Sequence, residues 1–160
     1  MARLPLLPIG LALALLAAGC SGPGKKSDAR PASGSDTATA EVPAYRLICG
    51  EGGGFTGRYG GFIVEADGKV VTWQGIDVSS APTTPIGTVS AADRGQLWRA
   101  LIDAGFFARE LNEPGNLNRF VRVEAPADTQ MWNWSFDPGA DSTSRVAVWN
   151  ACQEIFRRVD

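Results

Sequence analysis

The sequence predicts an α+β domain over residues 44–160, with an antiparallel sheet of about four to five strands and two helices packed on one face. Three observations lead to this prediction. An Asp67-Gly68 pair separates two strand-like segments, a second pair of such segments follows a capped helix, and apolar residues recur at helical spacing near the carboxyl end. Short connections favour an antiparallel sheet, and the two amphipathic helices need one of its faces to bury their apolar stripes.

The first three strands are predicted over residues 45–49, 62–66 and 69–73. The first is rich in β-forming residues and runs into a glycine-rich segment. The other two flank Asp67-Gly68, which predicts a two-residue type I′ hairpin turn because that turn needs positive φ at both central positions.

A second strand pair is predicted over residues 119–124 and 130–136. In the latter segment Trp132, Trp134 and Phe136 alternate with Met, Asn and Ser. This period of two directs one aromatic face of the strand toward the helices or the core.

Two helices complete the domain. Ser90 and Asp93 form a capping pattern for the first helix, and Gly105 provides its stop. Asp141 or Ser142 caps the second. The apolar stripes are Leu97, Leu101 and Ala104 in the first helix, and Val148, Cys152, Ile155, Phe156 and Val159 in the second.

The amino-terminal residues 1–19 are predicted to be a lipoprotein signal peptide. Arg3 precedes an apolar stretch that is too short and too interrupted by proline and glycine for a membrane-spanning helix, which needs ~20 apolar residues. Small residues lead directly into Cys20, and this junction resembles a bacterial lipobox. The resemblance implies cleavage before Cys20, a diacylglycerol on its sulfur and an acyl chain such as palmitate on its amino group. The alternative is an ordinary signal peptide followed by an unrelated cysteine.

Residues 20–43 are predicted to be the lipidated cysteine and a disordered tether, because Gly, Ser, Ala, Pro, Thr and mixed charges dominate the segment. A flexible chain of this length holds a domain roughly 25–30 Å from its anchor on average. Ser21 after the cysteine resembles the sorting signal of outer-membrane lipoproteins. We therefore expect the protein on the periplasmic face of the outer membrane, with the membrane as a partner through its lipid.

Composition excludes several classes of function. The chain has no histidine, which removes histidine-based catalytic triads, histidine zinc sites and histidine-ligated haem. Its formal charge of −2 argues against a nucleic-acid binder. The acids Glu110 and Glu113 lie in a loop with no readable cleft, and Lys69 is the one lysine of residues 44–160. We expect a domain that is not an enzyme and that holds no metal or cofactor.

The chain has three cysteines, and if Cys20 carries lipid, Cys49 and Cys152 are the two that remain. An exported domain meets an oxidising compartment, so we predict a disulfide between them that closes a loop of roughly 100 residues. The alternative is two free buried thiols.

The segment from Gly50 to Gly61 is unusual because seven of its twelve residues are glycine. One interpretation is a glycine-rich hairpin loop that needs positive φ and close packing. The other is a mobile recognition loop that offers Phe55, Thr56, Arg58 and Tyr59 to a partner, since an aromatic residue and an arginine suit an interface anchor.

The motif glycines Gly53, Gly54 and Gly57 surround Phe55 in a GGF-x-G segment, and the first predicted helix ends in the sequence AGFF at residues 104–107. With two strands and a closing helix after it, this chain resembles the emfourin-like family, whose named member inhibits protealysin, a thermolysin-like metallopeptidase. The resemblance covers most of residues 45–158. It implies a shared fold and a metallopeptidase as a possible protein partner.

Three functions stay open at this point. The first is a lipid-anchored, non-catalytic interaction domain that inhibits a thermolysin-like metallopeptidase by filling its cleft with residues 53–59 or with an adjacent sheet edge. The second is a structural or assembly lipoprotein of the cell envelope without inhibitory activity. The third is a binder of a small ligand or an enzyme, which a sizeable pocket lined by polar groups would favour.

Overall fold

The computed structural model describes residues 42–137 and 142–160. They form an α+β domain with a seven-stranded sheet in the order β4-β3-β2-β1-β6-β7-β5. The elements are β1 (Arg46–Gly53), β2 (Arg58–Val64), β3 (Lys69–Gly75), β4 (Thr83–Thr88), α1 (Ala91–Asp103), β5 (Leu111–Glu113), β6 (Leu117–Glu124), β7 (Thr129–Ser135) and α2 (Thr143–Arg157). The predicted signal peptide, Cys20, nearly all of the predicted tether, and Asp141 lie outside the described residues.

The predicted class is confirmed, but the strand number and the sheet type were wrong. The described sheet has seven strands rather than four or five, and it is mixed because β5 runs parallel to β7. The two missed strands are edge strands. β4 contains Pro85, which an edge strand tolerates because one side of its backbone needs no ladder partner. Beyond Pro85, Thr88 exchanges two backbone hydrogen bonds of 3.1 Å with Asp160.

The glycine-rich segment forms strands rather than a long hairpin loop. β1 continues through Gly53 and β2 begins at Arg58, so only a tight turn joins them. A Cβ atom at Gly50 would lie 2.6 Å from Phe120 and 2.7 Å from Trp73. Glycine therefore lets two aromatic rings lie directly on the middle of the sheet.

The hairpin predicted at Asp67-Gly68 is confirmed in place but not in turn type. Gly68 N donates to the Glu65 carbonyl at 2.9 Å, so Ala66 and Asp67 are the central residues of the turn. Gly68 has φ 92° and follows them, with the Val89 carbonyl 2.7 Å from where its Cβ would be. In a type I′ turn both central residues have positive φ, whereas here the residue with positive φ is Gly68, which follows the two central residues. The connection is therefore one residue longer than a two-residue type I′ turn.

Both predicted helix caps are confirmed within the described residues. Ser90 Oγ accepts from Asp93 N at 3.1 Å at the start of α1, and Gly105 follows its end in the left-handed region with φ 75°. Ser142, rather than Asp141, is the residue before α2, and its Oγ accepts from Arg145 N at 3.5 Å.

Both helices pack on one face of the sheet, where they bury one continuous apolar core. The buried core residues include Tyr45, Leu47, Cys49, Phe62, Val64, Val70, Leu97, Leu101, Phe106, Val121, Val123, Trp132, Trp134, Val148, Cys152 and Ile155. The predicted aromatic face of β7 is confirmed, because Trp132 and Trp134 are both fully buried there. Phe136 lies just beyond the strand and is partly exposed.

The opposite face of the sheet, here called the open face, carries a smaller cluster of buried residues, Ile48, Ile63 and Trp73. Val78 and Ala81, from the segment after β3, pack against it. The Trp73 indole N–H donates to the Cys49 carbonyl at 3.3 Å, which holds the ring flat over the glycines of β1 and β2. The open face is therefore covered by side chains from its own strands and by one loop.

An ion-pair network lies on the open face beside the start of β1. Arg46 reaches Glu65 at 3.0 Å and Glu124 at 3.1 Å, and Arg122 also pairs with Glu124. Burial acts to raise the pKa of Glu124, but the hydrogen bonds from Arg122 and Arg46 outweigh it and lower that pKa. These side chains are partly exposed, so the network adds a modest, salt-sensitive stabilisation.

Candidate functional site

The candidate site is the end of the sheet at which β1 and β2 are joined. A 3₁₀ turn over Gly54–Thr56 and the left-handed Gly57, with φ 61°, connect the two strands. Gly57 N donates to the Gly54 carbonyl at 3.2 Å, which closes the turn. The turn places Phe55 at its apex with an exposed fraction of 107%, so its ring is fully in solvent.

The turn is held by a neighbouring loop. Gly54 N donates to the Asn116 carbonyl at 2.5 Å, across the gap between the β1–β2 turn and the loop before β6. Leu117 at the start of β6 lies so close that a Cβ on Gly54 would be 3.1 Å from its Cδ2. The turn is thereby fixed to the sheet and presents Phe55 in a defined place.

The side chain of Asn118 connects two segments at this end of the sheet by hydrogen bonds. It is 6% exposed and is the one buried polar residue in the part of the chain that the structure describes. Its Oδ1 accepts from Gly115 N at 2.6 Å, and its Nδ2 donates to the Tyr59 hydroxyl at 3.1 Å. A buried amide with both ends satisfied ties the loop before β6 to β2.

The exposed apolar surface extends from Phe55 onto the neighbouring strand ends. Leu117 is 47% exposed and Phe136 is 38% exposed. Phe136 N donates to the Leu117 carbonyl at 2.7 Å, so these two residues lie side by side. We call the exposed residues of this end the tip surface, which consists of Phe55, Thr56, Arg58, Leu117 and Phe136.

Arg119 supports one side of the tip surface. Its guanidinium lies 4.1 Å from the centre of the Phe136 ring and 4.8 Å from that of Trp149, and its Nε reaches Glu51 at 3.4 Å. This cation–π arrangement holds the Phe136 ring in place against α2. The tip surface is therefore formed by the β1–β2 turn and by the ends of β2, β6 and β7, and Trp149 of α2 supports it from beside Arg119.

The structure brings together three of the four residues predicted to bind a partner and separates the fourth. Phe55, Thr56 and Arg58 are exposed at the tip surface. Tyr59 instead lies on the open face, where its ring meets Phe120 edge-on with 5.9 Å between centroids. Arg58 and Tyr59 already belong to β2, so the loop ends at Gly57, and a role of Tyr59 in binding a partner stays a prediction.

Tyr59 borders a groove of about 210 Å³ on the open face. Trp73 and Phe120 form its floor, and Asp77 and Arg122 stand on its walls. Asp77 is already used locally, since its Oδ1 accepts from Ser79 N at 3.1 Å and hydrogen bonds from Ser79 lower its pKa. The groove is open to solvent.

The motif glycines Gly53, Gly54 and Gly57 adopt backbone conformations that the β1–β2 turn requires. Gly53 has φ 102°, and a Cβ there would be 3.0 Å from the Asn116 carbonyl. Gly54 and Gly57 also have positive φ, which L side chains rarely adopt. All three glycines therefore allow the tight turn that carries Phe55.

Cys49 and Cys152 are both free, buried thiols in this structure rather than a disulfide. Cys49 lies on β1 and Cys152 on the inner face of α2, and both belong to the main core. Burial raises the pKa of the Cys49 thiol well above its usual value, and a hydrogen bond with Cys152 raises it further. The two sulfurs therefore face each other, and the disulfide stays a prediction.

The described residues contain no cluster of three or more His, Cys, Asp or Glu side chains arranged to hold a metal ion. No helix among residues 42–137 and 142–160 is long and apolar enough to cross a membrane. The tip surface combines three exposed apolar or aromatic contacts, from Phe55, Leu117 and Phe136, with the exposed Arg58.

No protein-family model and no curated protein matches this chain, so these comparisons assign it to no family. The resemblance to the emfourin-like family therefore stays a prediction.

Sequence reasoning missed Leu117, Asn118 and Phe136 as parts of the site. Leu117 reads as an ordinary strand residue, and Phe136 reads as the third aromatic of a buried stripe. The one available signal was the Pro114-Gly115 pair before Leu117, which marks a turn and hence a strand end.

Proposed function

We propose that this chain is a lipid-anchored, non-catalytic lipoprotein of the bacterial envelope, and that its domain binds a protein partner through the tip surface. The observation behind this proposal is Phe55, a fully exposed aromatic side chain at the apex of a turn that is hydrogen-bonded to a second loop. A solvent-exposed phenylalanine contributes nothing to the core, and with the exposed Leu117 and Phe136 it forms an apolar surface, which favours a role in binding.

The energetics of the tip surface suit a protein interface. Burying the Phe55 ring in a partner contributes about 1.5–3 kcal/mol. Because the turn is already held by the Asn116 carbonyl, little chain freedom remains to be lost on binding. Arg58 beside it adds a residue type that is enriched at interfaces.

The partner class that we propose is a thermolysin-like metallopeptidase, and the resemblance to the emfourin-like family is what supports it. The tip surface protrudes at the end of the sheet and therefore suits a cleft rather than a flat surface. In this mechanism the β1–β2 turn fills the cleft with Phe55 and blocks substrate. It supplies no nucleophile and no metal ligand.

The experiment uses the predicted mature chain, residues 20–160, with Cys20→Ser. This chain lacks both the predicted signal peptide and the predicted lipid site, so it can be purified without detergent. Peptide hydrolysis by several thermolysin-like peptidases is measured against protein concentration. We expect inhibition at micromolar protein, and Phe55→Ala should weaken it by about 10- to 100-fold. The matched control is Ile102→Ala, an apolar residue that is 50% exposed on α1, far from the tip surface in sequence.

Unchanged hydrolysis across these enzymes would rule out the peptidase partner. Co-purification of an envelope protein that is lost in Phe55→Ala, without any inhibition, would instead support the alternative of a structural or assembly lipoprotein. Equal loss of inhibition in Phe55→Ala and Ile102→Ala would contradict the placement of the site at the tip. Mass spectrometry of the native chain from cells tests the lipid on Cys20.

A further inference from the structure

An apolar pocket of about 350 Å³ lies at the opposite end of β1 from the tip surface. Pro43, just before β1, forms one side, and Trp98 of α1 and Phe107 after α1 form another. Ala127, in the turn between β6 and β7, and the buried Val123 of β6 complete the lining. We call it the proximal pocket because it includes Pro43, which lies shortly before the start of β1.

The aromatic wall of the proximal pocket is rigid. The Trp98 and Phe107 rings are packed together with 4.5 Å between centroids. Trp98 also packs on Tyr45 at 5.0 Å, and Phe107 meets the buried Phe106 at 5.1 Å. The pocket is thus preformed by side chains that the core already holds in place.

The polar side chains at the proximal pocket already have partners. Gln130 Nε2 donates to the carbonyls of Phe106 and Arg109, at 3.3 and 2.5 Å. Asp128 Oδ1 accepts from Thr129 N at 2.8 Å. These bonds use the Gln130 amide nitrogen and one Asp128 carboxylate oxygen. The other lining residues are Pro, Trp, Phe, Val and Ala, so the pocket offers mainly hydrocarbon contact.

This chemistry favours a hydrocarbon chain over a peptide segment. A peptide brings an N–H and a C=O with every residue, and burying them without partners is costly. An acyl chain brings neither. A cavity of about 150 Å³ takes one benzene, so about 350 Å³ has room for roughly a dozen carbon atoms.

We propose that the proximal pocket binds one acyl chain of a membrane lipid. Its position supports this source, and here the inference rests on the proposed lipid anchor at Cys20. The predicted tether of roughly 23 residues, if flexible, would keep its end about 25–30 Å from the anchor on average. Pro43, where that segment ends, is itself part of the pocket wall, so the pocket lies beside the point at which the predicted tether joins the domain.

The test uses the predicted mature chain, residues 20–160, with Cys20→Ser, and measures tryptophan fluorescence as dodecanoate or its bromine-labelled analogue is added. Bromine quenches tryptophan on contact. We expect saturable quenching that disappears in Trp98→Phe and persists in Trp149→Phe. Shortening the chain from dodecanoate to decanoate should weaken binding on the order of tenfold, because each buried CH₂ contributes about 0.8 kcal/mol.

A charge at the mouth of the pocket should block the ligand. Ala127→Glu is expected to weaken binding at least tenfold. The matched control is Ala66→Glu, which places the same charge on an exposed alanine of another hairpin turn outside the pocket, and which should bind like the parent protein. Equal affinity of the Ala127→Glu and Ala66→Glu variants, or no saturable quenching of the parent, would overturn the pocket assignment.

A second arm tests the source of the acyl chain. Phosphatidylethanolamine–phosphatidylglycerol vesicles with brominated acyl chains should quench Trp98 in the parent and not in Ala127→Glu. Quenching by dodecanoate without quenching by vesicles would overturn the assignment to a membrane lipid. Because the Cys20→Ser chain carries no anchor, these results are independent of whether native Cys20 is lipidated, which mass spectrometry decides separately.

Discussion

Two adjacent glycines of β2 should respond in opposite ways to replacement by alanine. A Cβ atom at Gly61 would lie 1.9 Å from the Cys49 carbonyl oxygen and 2.7 Å from the Gly50 Cα, both in the backbone of β1. At Gly60 the nearest atom, the Trp73 carbonyl oxygen, would be 3.6 Å away. Neither glycine has a positive φ, so the difference lies in space alone.

The size of the effect follows from what must move. Gly61→Ala forces β1 and β2 apart at the centre of the sheet, which adds overpacking to the loss of ladder hydrogen bonds, and we expect about 3 kcal/mol or more of destabilisation. At roughly 4 °C per kcal/mol for a domain of this size, Tm falls by about 12 °C or more. Gly60→Ala removes freedom from the unfolded chain and should raise stability by about 0.4–1 kcal/mol, or a few degrees.

Thermal and urea unfolding, followed by tryptophan fluorescence and far-ultraviolet circular dichroism, measure both variants against the parent. The two variants differ by one position and carry the same added methyl group. A Gly61→Ala midpoint within about 1 kcal/mol of the parent would refute the reasoning. So would equal shifts of the two variants in the same direction.

The remaining predictions concern the buried cysteines and one carboxylate. In protein isolated from the envelope, Cys49 and Cys152 should resist alkylation after unfolding until reductant is added, and Cys152→Ser should cost up to about 4.7 kcal/mol. Alkylation of both without reductant would contradict the disulfide. Glu124→Gln should lower the urea midpoint at pH 7, because the folded-state pKa of Glu124 is lowered and its contribution is present above the unfolded pKa. This difference should shrink as pH falls below about 4 and through the folded pKa, and a constant difference would contradict it.

The elements with local signals could be predicted from the sequence. Ser90 and Ser142 each cap a helix because a hydroxyl can accept from an N–H three residues on, and both helix starts follow from that. The alternating tryptophans of β7 identify a strand with one buried face. These signals depend on neighbours in the chain, and no tertiary contact is needed to read them.

The elements that depend on distant partners could not be predicted in this way. The segment of β4 contains Thr, Pro and Gly without apolar alternation, and it is a strand because β3 offers it an unpaired edge. Gly50 and Gly61 read as loop residues, yet they pair with each other across β1 and β2. A Cβ at Gly50 would meet the rings of Phe120 and Trp73, and a Cβ at Gly61 would meet the backbone of β1, and none of these contacts is local in sequence.

The same distinction between local signals and distant contacts applies to the candidate site. Phe55 was identified from its glycine-rich surroundings, which are adjacent in sequence. Leu117 and Phe136 are remote from it in sequence and join it through the backbone bonds of a neighbouring loop and strand end. Tyr59 was misplaced because the length of β2 is set by its pairing with β1 and β3.

The central position of β1 has a mechanical consequence. The strand starts near the residues that lead to the proposed anchor and finishes at the turn that carries Phe55, and it is paired along its length with β2 on one side and β6 on the other. If the proposed anchor and partner both hold, a pull between them would run parallel to this strand. Such a force would load both ladders in shear, so that many hydrogen bonds would resist it together instead of opening one after another.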